Sequence, residues 1–176
     1  AIDLLVNSAY AGLSGFTNEQ GDPWVRPTTN WSFGEVRADN AYKGGGGEGD
    51  LWDIHAMETF QIQANNGNLD GKWFNLYSQI SRCNAALRVL NKADEKEVPV
   101  KASRIAEMKV LRSHFYFELV RLFNQVPYFD ENVPESEYVN VGNDVYTREQ
   151  HLDRIANELI EASKSLPDRQ AEVGRI

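Results

Sequence analysis

The chain has 176 residues, of which 41% are hydrophobic and 25% are charged, and its formal net charge at pH 7 is −8. Such a chain is long enough for about one domain, and its acidic charge repels phosphate backbones, so no nucleic acid partner is expected. The single cysteine, Cys83, excludes an internal disulfide framework and any multi-cysteine metal site, and no apolar run approaches the ~18 residues of a membrane-spanning helix.

The N-terminal part of the chain is predicted to be one helix followed by a long irregular segment. Residues 1–13 carry apolar side chains at helical spacing, and Gly12 and Gly15 are expected to end that helix. Residues 16–50 lack any periodicity but contain tryptophans, which predicts an ordered loop rather than a disordered one. Within this loop, Trp31 and Phe33 alternate as in a short strand.

Helical spacing returns after residue 50. Residues 51–64 favour a helix, because apolar side chains recur every three residues at Leu51, Ile54, Met57 and Phe60. A turn-rich loop is expected over residues 65–68. The next helix is predicted over residues 70–91, with Asp70 as its N-cap and Trp73 in its core-facing stripe.

The second half of the chain is predicted to continue with two more helices. Residues 101–123 follow a short charged link, which implies an antiparallel hairpin with the preceding helix. Phe115, Leu119 and Leu122 are expected to pack against Tyr77, Ile80 and Leu87. Residues 124–146 are irregular, and Thr147 and Gln150 then form a capping box. The helix that it opens is predicted to carry these residues inward: Leu152, Ile155, Leu159, Ala162 and Leu166. The fold class is therefore all-α, with tetratricopeptide-like antiparallel helix hairpins and long irregular loop insertions.

Several patterns that could carry chemistry do not meet the requirements of that chemistry. Gly44–Gly49 matches a dinucleotide-binding pattern in spacing, but the βαβ unit that this pattern needs is absent from the prediction. Asn66, Asn68 and Asp70 resemble the first half of a calcium loop, but Tyr77 stands where its bidentate glutamate belongs. No nucleophile, base or metal-ligand array is recognisable, so no catalytic residue, metal ion or cofactor is expected.

The loops carry the residue types that suit sugar binding. A pyranose has an apolar face that stacks on aromatic rings and a rim of hydroxyl groups that amide, carboxylate and guanidinium groups can bind. We therefore predict a carbohydrate site on the loops, formed by Trp31, Arg37, Asn66, Asn68 and Asp70. The alternative is that the loop tryptophans only pack the loops onto the core.

Four ordered segments resemble the SusD/RagB family. The strongest is residues 109–128, which read KVLRSHFYFELVRLFNQVPY. The others are a Trp73, Tyr77, Ile80 and Asn84 helix, the loop at residues 37–45, and Leu166-Pro167 followed by Gly174-Arg175. Members of the family are far longer, so residues 1–176 are expected to be the N-terminal part of an incomplete helical domain. Arg112 and Arg121 lie within the helix-packing motif, and structural roles are expected for both.

The resemblance implies a lipid-anchored protein on the surface of the outer membrane that captures oligosaccharide or polysaccharide without hydrolysing it. It also implies a partner, a SusC-like TonB-dependent transporter that imports the captured glycan. Two alternatives remain open at this point: a helical-hairpin scaffold that binds a protein and no sugar, and a SusD-like protein that binds peptides.

Overall fold

The structure, a computed structural model, describes residues 2–14 and 23–176, so the predicted helix end at Gly15 lies outside the described residues. Its α-helices are α1 (Ile2–Ser14), α2 (Trp52–Glu58), α3 (Gly67–Lys92), α4 (Lys101–Phe123) and α5 (Arg148–Ser163). Short 3₁₀ segments occupy Pro23–Val25 and Glu135–Asn140, and one π-helical segment occupies Trp31–Val36. The described residues contain no β-strand, which confirms the predicted all-α class.

The chain divides into two compact units. Ala1–Ala11 and Tyr77–Ile176 form the first, here called the helical unit, and Gly12–Leu76 forms the second, the loop unit. Among the described residues, no helix combines the length and the apolar character that crossing a membrane requires.

The helical unit contains the predicted antiparallel hairpin. The rings of Tyr77 on α3 and Tyr116 on α4 lie 6.3 Å apart, and Arg112 on α4 donates a 2.7 Å hydrogen bond to Asn84 on α3. Because the later residue of α3 meets the earlier residue of α4, the two helices run in opposite directions. Of the residues predicted to pack together, Ile80, Leu87, Phe115 and Leu119 are buried at 0–1% exposure, whereas Tyr77 and Leu122 are only partly buried.

Helix α5 begins at the predicted capping box. The Thr147 hydroxyl accepts the Gln150 backbone N–H at 3.3 Å, and the Gln150 side chain accepts the Thr147 backbone N–H at 2.8 Å. Ile155 and Ala162 are buried, but the prediction for Leu159 is wrong, since 38% of this residue is exposed. Leu159 borders an open apolar groove that it lines together with Phe117 of α4, so its side of α5 is only partly covered.

The predicted strand around Trp31 is also wrong. The backbone there forms local helical hydrogen bonds instead, as shown by the Gly34 N–H, which donates to the Asn30 carbonyl at 2.7 Å. The alternation of two aromatic residues over three positions is too short to distinguish a strand from a single helical turn.

Helix α3 begins three residues earlier than predicted, and Asn66 caps it rather than Asp70. The Asn66 side-chain oxygen accepts the backbone N–H groups of Asn68 and Leu69 at 3.1 and 3.2 Å. The carboxylate of Asp53 accepts the Gly67 N–H at 3.1 Å, so the free donors of the first turn are satisfied. Asp70 lies within the first turn and is exposed, where its charge favours the positive end of the helix dipole.

We expect Asn66→Ala to lower the free energy of unfolding by about 1–2 kcal/mol, because two backbone donors lose their acceptor. Asp70→Ala is the matched control. It should lower the free energy of unfolding by less than about 1 kcal/mol, because only an interaction with the helix dipole is removed. Urea unfolding followed by circular dichroism measures both. An equal loss in the two variants would contradict the assignment of the cap to Asn66.

Candidate functional site

Buried polar side chains of α3 organise the start of the loop unit. Lys72 is fully buried, and its ammonium donates to the carbonyl oxygens of Arg26, Pro27 and Thr29 at 2.8–2.9 Å. A buried ammonium is tolerated only where its donors are matched in this way. The segment that leads into Trp31 is therefore held against the first turns of α3 by one side chain.

A glycine in α3 lets another loop residue approach this helix. A Cβ atom at Gly71 would lie only 3.0–3.2 Å from the side chain of Val25, so a larger residue at this position would displace the loop. The side-chain amide of Asn75 also donates to the Val25 carbonyl at 3.2 Å.

The residues predicted to bind sugar all lie in the loop unit, but they differ in accessibility. Arg37 and Asp70 are exposed, and neither side chain forms a hydrogen bond or ion pair within the described part of the chain. Trp31 is half-buried and packs on Trp24, with 4.9 Å between the ring centroids. Asn66 and Asn68 are only 2% and 5% exposed.

The amide of Asn66 is already used within the protein. Its oxygen caps α3, and its nitrogen donates to the Asp53 carbonyl at 3.0 Å. The structure thus gives this residue a clear structural role. The side chains with free surface in the predicted set are Trp31, Arg37 and Asp70.

The glycine-rich loop encloses an ammonium instead of presenting its N–H groups to a phosphate. Lys43 is 7% exposed, and its ammonium donates to the carbonyl oxygens of Gly44, Gly47 and Asp50. The Asp50 carboxylate accepts the Gly46 N–H at 2.9 Å. A carboxylate and inward-pointing carbonyls repel pyrophosphate, so this loop has the wrong polarity for nucleotide binding.

Sequence reasoning missed a set of exposed aromatic residues on either side of this loop. Tyr42 is 78% exposed, Trp52 53% and Phe60 65%. Phe60 and its counterpart at the other end of α2, Leu51, have φ angles of 57° and 56°, in the left-handed region that side chains other than glycine rarely adopt. Backbone strain at exposed apolar residues brings no gain in core packing, and such strain is concentrated at functional sites.

One signal in the sequence could have indicated Trp52. The apolar stripe at helical spacing is residues 51, 54, 57 and 60, of which Ile54 and Met57 are buried while Leu51 and Phe60 are exposed. A tryptophan at position 52 falls outside that stripe, on the side of the helix that faces solvent. Nothing comparable marks Tyr42, because the loop around it has no period.

Polar groups connect Trp52 to the segment that carries Tyr42. The rings of Trp52 and His55 lie 5.5 Å apart, and His55 Nδ1 lies 3.6 Å from the Glu58 carboxylate. Glu58 in turn accepts the Lys43 backbone N–H at 2.8 Å. We call Tyr42, Trp52, His55 and Glu58 the α2 strip. It combines exposed rings with imidazole and carboxylate groups, which together can stack on a sugar and bind its hydroxyl groups.

The helical unit holds no comparable reactive group in its described part. Cys83 is buried as predicted, and burial raises the pKa of its thiol to about 12, so the thiolate is not formed at neutral pH. Arg112 is buried among protein acceptors, which agrees with the structural role expected for it. Across residues 2–14 and 23–176, no three histidine, cysteine or acidic side chains converge as metal ligands do.

Comparison with known families gives a match over residues 9–175. The matching family is SusD-like_3, described as "Starch-binding associating with outer membrane". A curated SusD-like protein from Bacteroides ovatus is 28% identical over 83 residues, which are 46% of this chain and 15% of that protein.

Solved structures of similar fold agree with the family match. Surface glycan-binding protein A from Bacteroides thetaiotaomicron, determined in complex with laminarihexaose, is 23% identical with a TM-score of 0.76, over 99% of this chain and 35% of its own. A laminarin binding SusD-like protein is 26% identical with a TM-score of 0.71, over 97% of this chain and 36% of its own. The chain therefore spans about a third of the length of these structures.

Proposed function

The chain belongs to the SusD-like family, and on that premise we propose that its loop unit binds the sugar units of a glycan at the bacterial cell surface. The observation that carries the proposal is the α2 strip, where Trp52 is 53% exposed next to His55, and Glu58 binds the backbone next to Tyr42, which is 78% exposed. Aromatic rings kept in solvent are suited to stacking on the apolar face of a pyranose. The similar structures that bind laminarin or laminarihexaose support a β-glucan as the first ligand to test.

The predicted site residues belong to the same proposal. Arg37 can bind two adjacent hydroxyl groups with its planar guanidinium, and Asp70 can accept from others. Trp31 offers the ring surface that Trp24 leaves uncovered. Asn66 and Asn68 are buried, and Asn66 contributes through its cap on α3.

We further propose that this chain is one part of a longer protein, to which the same function extends. Stacking and hydroxyl recognition need no general acid, base or nucleophile, so capture without turnover fits the residues of the α2 strip. The family description supports a location at the outer membrane. A lipid anchor and a SusC-like TonB-dependent transporter as partner complete the proposed uptake system.

The test is isothermal titration of the full-length protein with laminarin oligosaccharides and a panel of other glycans. Loss of one stacking or bidentate contact costs about 1–3 kcal/mol, which lowers the affinity about tenfold or more. We expect this loss in Trp52→Ala, and also in Trp31→Ala, Arg37→Ala and Asp70→Ala.

The matched control is Phe117→Ala, which removes a partly exposed ring from the helical unit and should leave the affinity unchanged. Wild-type affinity in all four loop-unit variants, with folding intact, would place the site outside the loop unit. Release of shortened product from any glycan would support an enzyme, and binding of peptides but no glycan would support the peptide-binding alternative.

A further inference from the structure

A polar pocket lies in the helical unit, and no residue of the α2 strip lines it. It has a volume of about 420 Å³, within the ~300–1,000 Å³ range of small-molecule sites. Residues of α4, α5 and the segment after Pro127 line it, and every lining side chain can form hydrogen bonds. The lining includes Lys109, Tyr128, Asp130, Arg154 and Asn157.

Arg154 is held in place on one wall of this pocket. Its guanidinium carbon lies 4.3 Å from the ring centre of Tyr128 and 4.6 Å from that of Tyr146. These rings meet edge to face, so the guanidinium sits in an aromatic corner. No carboxylate in the described part of the chain pairs with Arg154, whose guanidinium instead interacts with the Tyr128 hydroxyl and ring. A cation held in place by its neighbours, with no carboxylate to neutralise it, is prepared for a ligand before that ligand binds.

The charges around the pocket cancel. Arg112 forms ion pairs with Glu131 and Glu158, which leaves this triad with one negative charge. Lys109 and Arg154 add two positive charges, and Asp130 adds one negative charge. A lining with zero net charge favours neither an anion nor a cation, because a charged ligand gains nothing to offset the loss of its hydration.

The accessible groups of the lining instead include both donors and acceptors. Lys109 and Arg154 donate, Asp130 accepts, and the exposed amide of Asn157 does both. Hydroxyl groups are the ligand chemistry that matches such a mixture, since each hydroxyl also donates and accepts. We propose that this pocket is a second sugar site that takes one neutral hexose unit, independent of the α2 strip. In its choice of a sugar ligand the proposal rests on the proposed function.

The experiment uses the full-length protein carrying Trp52→Ala, which removes the main stacking ring of the α2 strip. Methyl β-glucoside, glucuronate and glycine are titrated separately, and amide NMR signals from residues 128–131 and 154–158 are followed. We expect methyl β-glucoside alone to shift these signals. Adding Asn157→Ala, an exposed helical substitution that is not expected to disturb folding, should weaken that binding about fivefold to tenfold.

Three results would overturn the proposal: no shift with the glucoside, shifts only with glucuronate or glycine, or glucoside shifts that Asn157→Ala leaves unchanged. The proposed function is tested separately, by titration with long glycans. If Trp52→Ala and its loop-unit companions keep full glycan affinity while the Asn157-dependent shifts persist, the α2 strip fails and the second site stands.

Discussion

Replacement of Phe115 by alanine is expected to lower the free energy of unfolding by about 3–5 kcal/mol. Phe115 lies at the middle of α4 and is 0% exposed, with Leu111 and Leu119 equally enclosed one turn away on either side. Removing the ring forfeits its transfer energy and leaves a cavity that helices fixed by their own hydrogen bonds cannot close. Urea unfolding followed by circular dichroism gives the difference directly.

The matched control for this prediction is two residues further along the same helix. Phe117 is 38% exposed, so Phe117→Ala removes a ring of the same size from the edge of an open groove. Phe117→Ala should lower the free energy of unfolding by about 1 kcal/mol or less, as is usual for partly exposed positions. If both substitutions cost the same, the packing assigned to the α3–α4 hairpin is wrong.

The helices of the helical unit were predictable because local and long-range information agree there. The apolar stripes of α3 and α4 extend over more than six turns, and the capping box at Thr147 involves residues only three apart. Such signals need no knowledge of distant parts of the chain. The errors at Asp70 and Leu159 show the limit. Asn66 becomes the cap partly because its amide binds Asp53, which lies 13 residues away. Leu159 is exposed because the groove that it lines with Phe117 remains open.

The loop unit was less predictable because buried lysines set its conformation. The ammonium groups of Lys43 and Lys72 are each surrounded by backbone carbonyl oxygens, an arrangement that no hydropathy pattern indicates. The exposure of Trp52 depends in the same way on left-handed backbone at Leu51 and on the course of the glycine-rich loop. Sequence alone therefore indicated that these loops are ordered and rich in aromatic residues, but not which rings face solvent.

Loss of the buried Arg112 is expected to be strongly destabilising. It is 2% exposed and pairs with Glu158 and, at 2.5 Å, with Glu131, while the same guanidinium donates to Asn84. Arg112→Met keeps much of the volume but leaves two partly buried carboxylates without their cation. Removal of one partner from such a network costs about 3–5 kcal/mol, far more than the intact pairs add relative to apolar residues.

Two variants distinguish this effect from the mere loss of a long side chain. Lys164→Met, just after α5, removes a long exposed side chain whose ion pair with Glu161 is exposed on both sides, and its cost should be about 1 kcal/mol or less. Adding Glu158→Gln to Arg112→Met removes one of the orphaned charges and should recover part of the stability. No recovery would show that the triad is held together by packing rather than by charge.

The stability lost in Arg112→Met should depend on pH because of the Glu131 carboxyl. Burial raises the pKa of the Glu131 carboxyl, but the Arg112 guanidinium outweighs burial and leaves that pKa below its ordinary value of 4.5. A carboxyl whose pKa is lowered by folding stabilises the native protein above the unfolded pKa, and this contribution is lost as the pH falls through the folded pKa. Without Arg112, burial is opposed only by a backbone hydrogen bond and by the charge of Lys109, so the pKa of the Glu131 carboxyl rises, and protonation relieves the unpaired charge. The stability gap between wild type and Arg112→Met, measured by urea unfolding from pH 7 to pH 4, should therefore narrow on acidification, whereas a constant gap would exclude the carboxylates as its cause.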